Sequence, residues 1–156
     1  MPRMKLLSIL FAATMLFAML LAAADPQGFA MYTGAELKTK VDAAKPDDHK
    51  VRLDRVANWG NHSLLAIRRE GDGEAEIHDT QVDVIFVRSG EGTLVLGGTM
   101  VEPRTTAPGE IRGKSITGGV SKKMAAGDVF HVPAKIPHQM LVPKQITFEV
   151  VKVDTK

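Results

Sequence analysis

Short β-type runs separated by turn residues fill the sequence from Lys50 to its end. Of all the features of the sequence, this pattern limits the possible folds most. Gly, Pro, Asn and Asp stand between the runs, and helical periodicity is missing there, which excludes a helix bundle. Around eight strands favour a closed barrel or a two-sheet jelly roll, because both remove or shorten exposed sheet edges. The predicted strands are 51–57, 63–69, 75–79, 82–88, 92–96, 128–132, 139–142 and 147–153.

Residues 1–24 have the order of a signal peptide. Arg3 and Lys5 precede an uncharged, almost wholly apolar stretch that ends in three alanines before Asp25. A charged start, an apolar middle and small residues at the cut are typical of secretory signals. The apolar stretch is also close to the length of a membrane span, so a retained anchor is the alternative. We expect cleavage after Ala24 and a soluble mature protein that is periplasmic or secreted.

Charge and cysteine content narrow the function classes. The formal net charge of +2 comes from Arg3 and Lys5, which no acid accompanies in residues 1–24, so basic and acidic side chains balance in the mature part. This balance gives no support to a nucleic-acid partner or to a membrane partner after cleavage. The sequence contains no Cys, so the domain must be held together by its core without disulfides.

A short helix is predicted ahead of the strands. Thr33 and Glu36 match a capping box, in which each side chain accepts a hydrogen bond from the backbone N–H of the other. Apolar residues then recur at helical spacing, which predicts a helix over about 34–44. The predicted organisation is a signal peptide at 1–24, a helical cap at 25–50 and a β-barrel at 51–156.

The strand pattern fails between Gly97 and Val120, in a segment rich in Gly, Pro and Thr. A long segment without structure inside a compact domain is usually functional or disordered. A lid or binding loop, a flexible insert and an extra hairpin are all consistent with this composition. We expect residues 98–119 to cover part of the barrel mouth, with Arg112 pointing inward to meet an anionic ligand.

Two histidines and two acids are the strongest candidates for chemistry. Glu76 and His78 are two residues apart, so their side chains project from the same face of one strand. Asp83 begins the next apolar run, and His138 follows a turn far along the chain. Imidazoles and carboxylates brought together inside a barrel bind a divalent metal well.

The spacing of these residues resembles the first of two signature motifs of the cupin superfamily, His-x-His-x4-Glu-x6-Gly. Glu76, His78, Asp83 and Gly90 stand at its four fixed positions. Glu76 replaces the first His of the motif, and Asp83 replaces its Glu, so the motif is degenerate.

The second cupin motif, Gly-x5-Pro-x-Gly-x2-His, resembles the segment 127–138. Gly127, Pro133 and His138 stand at the expected positions, whereas Lys135 replaces the second Gly. The resemblance covers about 63–153 and implies an all-β, single-domain cupin of bacterial type. Its expected fold is a jelly-roll β-barrel with a short N-terminal helix.

The resemblance also implies a divalent transition metal, either Fe, Mn, Ni or Zn, and a small organic molecule that is bound or transformed at the barrel mouth. The metal ligands in this sequence would be His78, Asp83, His138 and Glu76. The residues that we expect to contact the small molecule are Arg112, His131 and Gln81.

The reaction stays open, because a metal of this kind serves oxygenases, isomerases and lyases alike, and the fold itself chooses none of them. One alternative is a metal-free module that binds or senses a small ligand. A second is a scaffold that only dimerises, since the resemblance implies a homodimer.

Overall fold

The N-terminal helix α1 (Gly34–Ala43) begins at the predicted capping box in the computed structural model, which describes residues 24–155. The backbone N–H of Thr33 donates to Glu36 Oε2 (2.7 Å), and the N–H of Glu36 donates to Thr33 Oγ1 (3.2 Å). The helix buries Leu37 and Val41. It ends at Ala43 because Ala44 has extended backbone.

Strands make up most of the described chain after the helix. They are β1 (Val51–Asn58), β2 (His62–Arg69), β3 (Ala75–His78), β4 (Gln81–Leu96), β5 (Thr99–Val101), β6 (Arg104–Ala107), β7 (Glu110–Gly113), β8 (Ser115–Thr117), β9 (Val120–Ala125), β10 (Val129–Val132), β11 (His138–Leu141) and β12 (Ile146–Asp154). Every predicted strand is present, but 82–88 and 92–96 belong to one long strand, β4.

The expectation that 98–119 lacks regular structure is wrong, because this segment consists largely of strands. β6 and β7 form a hairpin, β7 also pairs with β3, and β5 pairs with β8. Of the three readings that the composition left open, the extra hairpin is the one present. All four residues of β6 are exposed, so this strand has no buried face to produce an alternating pattern.

Strand β4 connects the two halves of the sheet. The main sheet has the order β1-β2-β12-β4-β11-β3-β7-β6, and β9 and β10 also pair with β4. The first half of β4 pairs with β10 and β12, and the second half pairs with β9 and β11. The antiparallel sheet therefore curls around one interior, which confirms the predicted all-β jelly-roll architecture.

Gly90 lies between the two halves of β4, at the last pairing with β12. Its φ is +80°, a value that L side chains rarely adopt. A Cβ at this position would lie 2.1 Å from the carbonyl oxygen of Gln145, and Ile146 pairs directly with Gly90. Only glycine allows the two strands to approach this closely.

The core lies inside the curl. As predicted from the alternation, Asp83 shares its buried face with Ile85 and Val87. The core consists of Leu65, Ile67, Ile85, Val87, Leu94, Met124, Val132, Met140, Val142, Ile146, Phe148 and Val150.

The chain divides into two units, Met1–Met31 and Tyr32–Lys156. The first is described only from residue 24, and it contains a turn in which the N–H of Phe29 donates to the carbonyl of Pro26 (3.0 Å). The predicted signal peptide lies outside the described residues, except for Ala24. Within 24–155, no helix is both long and apolar enough to span a bilayer.

Candidate metal centre

Strand pairing brings three of the predicted metal-binding side chains together. Glu76 and His78 lie on β3, and His138 begins β11, where it pairs with Glu76. One ligand atom from each of these residues lies within 4.8 Å of the others. Donor atoms this close together can share a single ion.

His78 is 3% exposed and has polar partners at both ring nitrogens. Its Nδ1 lies 2.8 and 2.9 Å from the two carboxylate oxygens of Glu110 on β7. Its Nε2 lies 3.4 Å from Glu76 Oε2 and 3.6 Å from Asp83 Oδ2. Burial alone would lower the pKa of His78, but hydrogen bonding to Asp83 and Glu76 raises it to about 9. A proton on the ring is therefore favoured in the metal-free protein, and a metal at Nε2 would have to displace it.

His138 is also buried, but its pKa is shifted in the opposite direction. Its Nδ1 lies 3.1 Å from the carbonyl oxygen of Ile136, and its Nε2 lies 3.9 Å from Asp83 Oδ2. Burial lowers the pKa of His138, although the charge of Glu76 opposes this. A neutral imidazole that donates its Nδ1–H to a carbonyl keeps the Nε2 lone pair available for a metal.

Glu76 forms an ion pair with Arg112. Arg112 Nη1 contacts Glu76 Oε1, and Arg112 Nη2 lies 3.7 Å from Glu110 Oε2. Burial would raise the pKa of Glu76, but the hydrogen bond with His78 and the charge of Arg112 lower it to about 2. β7 pairs with β3 so that Arg112 is opposite Glu76 and Glu110 is opposite His78. Arg112 thus reaches the site from a strand instead of a lid.

Asp83 has a lysine partner. Lys152 on β12 stands directly opposite Asp83 on β4, and its Nζ lies 2.8 Å from Asp83 Oδ1 and 3.0 Å from His78 Nε2. Burial would raise the pKa of Asp83, but the hydrogen bond with His78 and the charge of Lys152 lower it. Asp83 lies beside the group of three converging donors and is not a member of it.

Lys152 and Glu110 belong to the site although no motif marks them. Lys152 follows Phe148 and Val150 at alternate positions of β12, and all three line the same cavity. A charged residue on an otherwise apolar inward face is the signal that could have identified it. Glu110 lies in the segment where alternation fails, so the sequence carries no comparable signal for it.

The site adjoins a cavity of about 320 Å³ inside the curled sheet. Its polar part near the site is formed by Glu76, Asp83, Arg112, His138 and Lys152. Its apolar part is formed by Val51, Leu53, Leu65, Ile67, Ile85, Leu94, Met140, Phe148 and Val150. This size is at the lower end of the range for small-molecule pockets.

Gln81 and His131, which were expected to contact a small molecule, do not line this cavity. Gln81 begins β4 and donates through Nε2 to Asp154 Oδ1 (2.7 Å), at the end of β12. His131 is exposed on β10, whereas its neighbour Val132 is buried. The reason is the strand alternation, which turns His131 outward when Val132 faces the core.

No protein-family model and no curated protein sequence matches the chain. Solved structures match it at low sequence identity. An uncharacterized conserved protein from Klebsiella pneumoniae with a double-stranded β-helix domain is 14% identical, with a TM-score of 0.55 over 85% of this chain and 93% of that one. A predicted oxalate decarboxylase from Thermotoga maritima is 12% identical, with a TM-score of 0.50 over 67% and 80%. Streptomyces PAC13, a variant solved with uridine, is 11% identical, with a TM-score of 0.52 over 74% and 80%.

These structures share the curled antiparallel sheet described above. The chain has the cupin fold. The two sequence segments that resemble cupin motifs therefore lie in a chain that has the fold these motifs imply. At these identities the likeness concerns the fold alone, so the chemistry has to be argued from the residues.

The candidate site of this chain fits a divalent transition metal by its donor chemistry. Two imidazoles and one carboxylate converge, and each imidazole has an oxygen partner at Nδ1, which leaves Nε2 to face the centre. Lys152 competes with an ion here, because its ammonium group occupies the space beside His78 Nε2. The residues therefore fit a metal ion, provided that the ammonium group of Lys152 moves away or remains beside the ion.

Proposed function

We propose that this chain is a metal-dependent cupin, which binds a divalent transition metal ion through Glu76, His78 and His138 and holds a small organic molecule in the adjoining cavity. The convergence of the three ligand atoms within 4.8 Å carries the proposal. Two nitrogen donors and one carboxylate suit Fe, Mn, Ni or Zn. The donor set alone does not select one of these metals.

When bound, the metal would supply Lewis acidity to an oxygen atom of the ligand, the chemistry that oxygenases, isomerases and lyases of this kind share. The chain's own residues would orient the metal ligands and shield the bound molecule from water. Glu110 fixes the ring of His78, and Arg112 holds the Glu76 carboxylate. Aliphatic side chains around the cavity would exclude water from the reacting atoms.

The measurement that tests this proposal is metal stoichiometry, determined by elemental analysis after purification from the native compartment and after loading with single divalent ions. His78→Ala and His138→Ala should each lower the stoichiometry sharply. His131→Ala is the matched control, because His131 is exposed and does not line the cavity. Full metal content in the His78→Ala, His138→Ala double variant would contradict the proposal.

A metal-free module that binds or senses a small ligand is the second candidate, and Lys152 favours it. The ammonium group already pairs with Asp83 and lies 3.0 Å from His78 Nε2, so the site holds a cation of its own without a metal ion. Ligand-induced thermal shifts in protein treated with a chelator would support this candidate, provided that divalent ions produce no shift.

Export and dimerisation are further proposals. The order of charged, apolar and small residues in 1–24 supports a cleaved signal peptide and a periplasmic or secreted product. N-terminal sequencing should find Asp25 as the first residue, and a product that retains residues 1–24 would contradict this.

The proposal of a homodimer rests on the cupin resemblance, and light scattering, which measures the mass of the particle in solution, tests it.

A further inference from the structure

Arg69 is a cation of the cavity lining that the proposed metal site does not use, and the acids Asp47 and Glu74 also line the cavity outside that site. It is the last residue of β2, and its side chain lines the cavity together with the aliphatic residues. Its Nε is buried and has no hydrogen-bond partner among the described residues. Arg69 as a whole is half-buried, but its buried Nε–H lacks an acceptor, a loss that an anion beside the guanidinium would offset.

The acids whose charges favour the Arg69 cation are engaged elsewhere. Asp72 Oδ1 accepts a hydrogen bond from the backbone N–H of Val142 (2.7 Å), and Asp47 Oδ1 accepts one from the N–H of Val51 (2.8 Å). Glu76 is paired with Arg112. Within residues 24–155, Arg69 forms no ion pair with any of them.

Gly73 leaves room for the guanidinium of Arg69. A Cβ on Gly73 would lie 2.7 Å from Arg69 Nη1 and 2.9 Å from Arg69 Cζ. The planar group therefore lies directly against Gly73, and a larger residue at this position would displace it.

We propose that the cavity binds a small organic carboxylate, whose carboxylate group pairs with Arg69 and whose apolar part lies against the aliphatic wall. The inference rests on the proposed function in one respect, since both proposals place the small molecule in the same cavity. The fork of an Arg guanidinium matches the two oxygens of a carboxylate. A phosphate dianion would call for further free cations, whereas Arg112 and Lys152 are already paired with acids.

The test compares hexanoate with hexanamide, two probes of similar shape that differ in charge. Titration calorimetry is carried out on the mature protein in a chelator and again after loading with Mn(II). Hexanoate should bind more tightly than hexanamide by roughly tenfold or more in the wild-type protein. Arg69→Gln should remove this difference. Arg55→Gln is the matched control, because Arg55 is exposed on β1, and this variant should retain the difference.

Equal affinities for the two probes in the wild-type protein, or no binding of either, would overturn the inference, and these outcomes need no variant. A preference for hexanoate that persists in folded Arg69→Gln would also overturn it. Metal content measured on the same samples separates the two proposals. If hexanoate is preferred through Arg69 and no metal is taken up, the carboxylate inference is supported and the metal site is contradicted. If metal is taken up and hexanoate is not preferred, the metal site is supported and the carboxylate inference is contradicted.

Discussion

Lys152 and Asp83 face each other across two paired strands, with Nζ 2.8 Å from Oδ1, inside the curled sheet. The ammonium group also lies 3.0 Å from His78 Nε2, one of the atoms that would bind a metal. A resident cation therefore stands beside the candidate metal position. Because like charges repel strongly in a buried site, Lys152 should oppose metal binding.

We expect Lys152→Met to increase the affinity for a divalent ion by about tenfold or more, since the substitution removes the competing charge and keeps the length of the side chain. Titration calorimetry with Zn(II) or Mn(II) measures the change. Lys144→Met, which changes an exposed lysine, should leave the affinity unaltered. Weaker metal binding in folded Lys152→Met would show that the lysine supports the ion instead.

The same variant should be less stable when no metal is present. Removing Lys152 takes away the cation 2.8 Å from Asp83 Oδ1 but leaves His78 beside Oδ2, so the loss should lie below the about 3–5 kcal/mol that breaking a buried ion pair from one side costs. Added metal should restore part of the free energy of unfolding, and denaturant titrations with and without the ion would measure this. An unchanged stability of metal-free Lys152→Met would mean that the pair contributes little.

Glu110→Gln should weaken metal binding by roughly 10- to 100-fold, because the Glu110 carboxylate holds Nδ1 of His78 and so presents Nε2 to the ion. A glutamine amide can donate to Nδ1 and thereby favour the tautomer with its proton on Nε2. Glu102→Gln is the control, since Glu102 is exposed and only approaches Lys114 (3.8 Å). Equal affinities in the two variants would contradict an orienting role for Glu110.

Local patterns predicted the fold well where one side of an element is buried. The helix follows from Thr33 and Glu36, which are three residues apart, and the inward face of β4 follows from the alternation of Asp83, Ile85 and Val87. β6 has no buried side, so its residues carry no alternation, and a loop was predicted where the structure has a hairpin.

The site was predictable only in part, because most of its contacts depend on strand register. Glu76 and His78 share a face through local periodicity, and the motif spacing added His138. The neighbours of His78 come from pairings that span long sequence distances, to Glu110 through β7 and to Lys152 through β12. No local pattern sets these registers, so the contacts of Glu110 and Lys152 with His78 could not be assigned from the sequence.

Gly90→Ala should destabilise the protein more than an ordinary substitution of a left-handed glycine. Both Gly90 and Gly127 have positive φ, but only at Gly90 would a Cβ approach a backbone atom, at 2.1 Å from Gln145 O. We expect a loss of about 1–2 kcal/mol for Gly127→Ala from backbone strain. The loss for Gly90→Ala should be on the order of 3 kcal/mol, because the strands must also separate. Equal losses in denaturant titrations would contradict the close approach.

The stability of the metal-free protein should fall at alkaline pH because of His78. Its pKa is raised from 6.5 to about 9 in the folded state, so its contribution to the free energy of unfolding is complete below about pH 6.5 and is lost as the pH rises through 9. Glu76 acts in the opposite direction: with its pKa lowered from 4.5 to about 2, its contribution is present above about pH 4.5 and is lost as the pH falls towards 2. Urea titrations in a chelator should therefore give a decrease on the order of 2 kcal/mol between about pH 6 and pH 9.5. In His78→Gln, which has no titrating ring, most of this decrease should disappear, and an equal decrease in the variant would assign the alkaline loss to other groups.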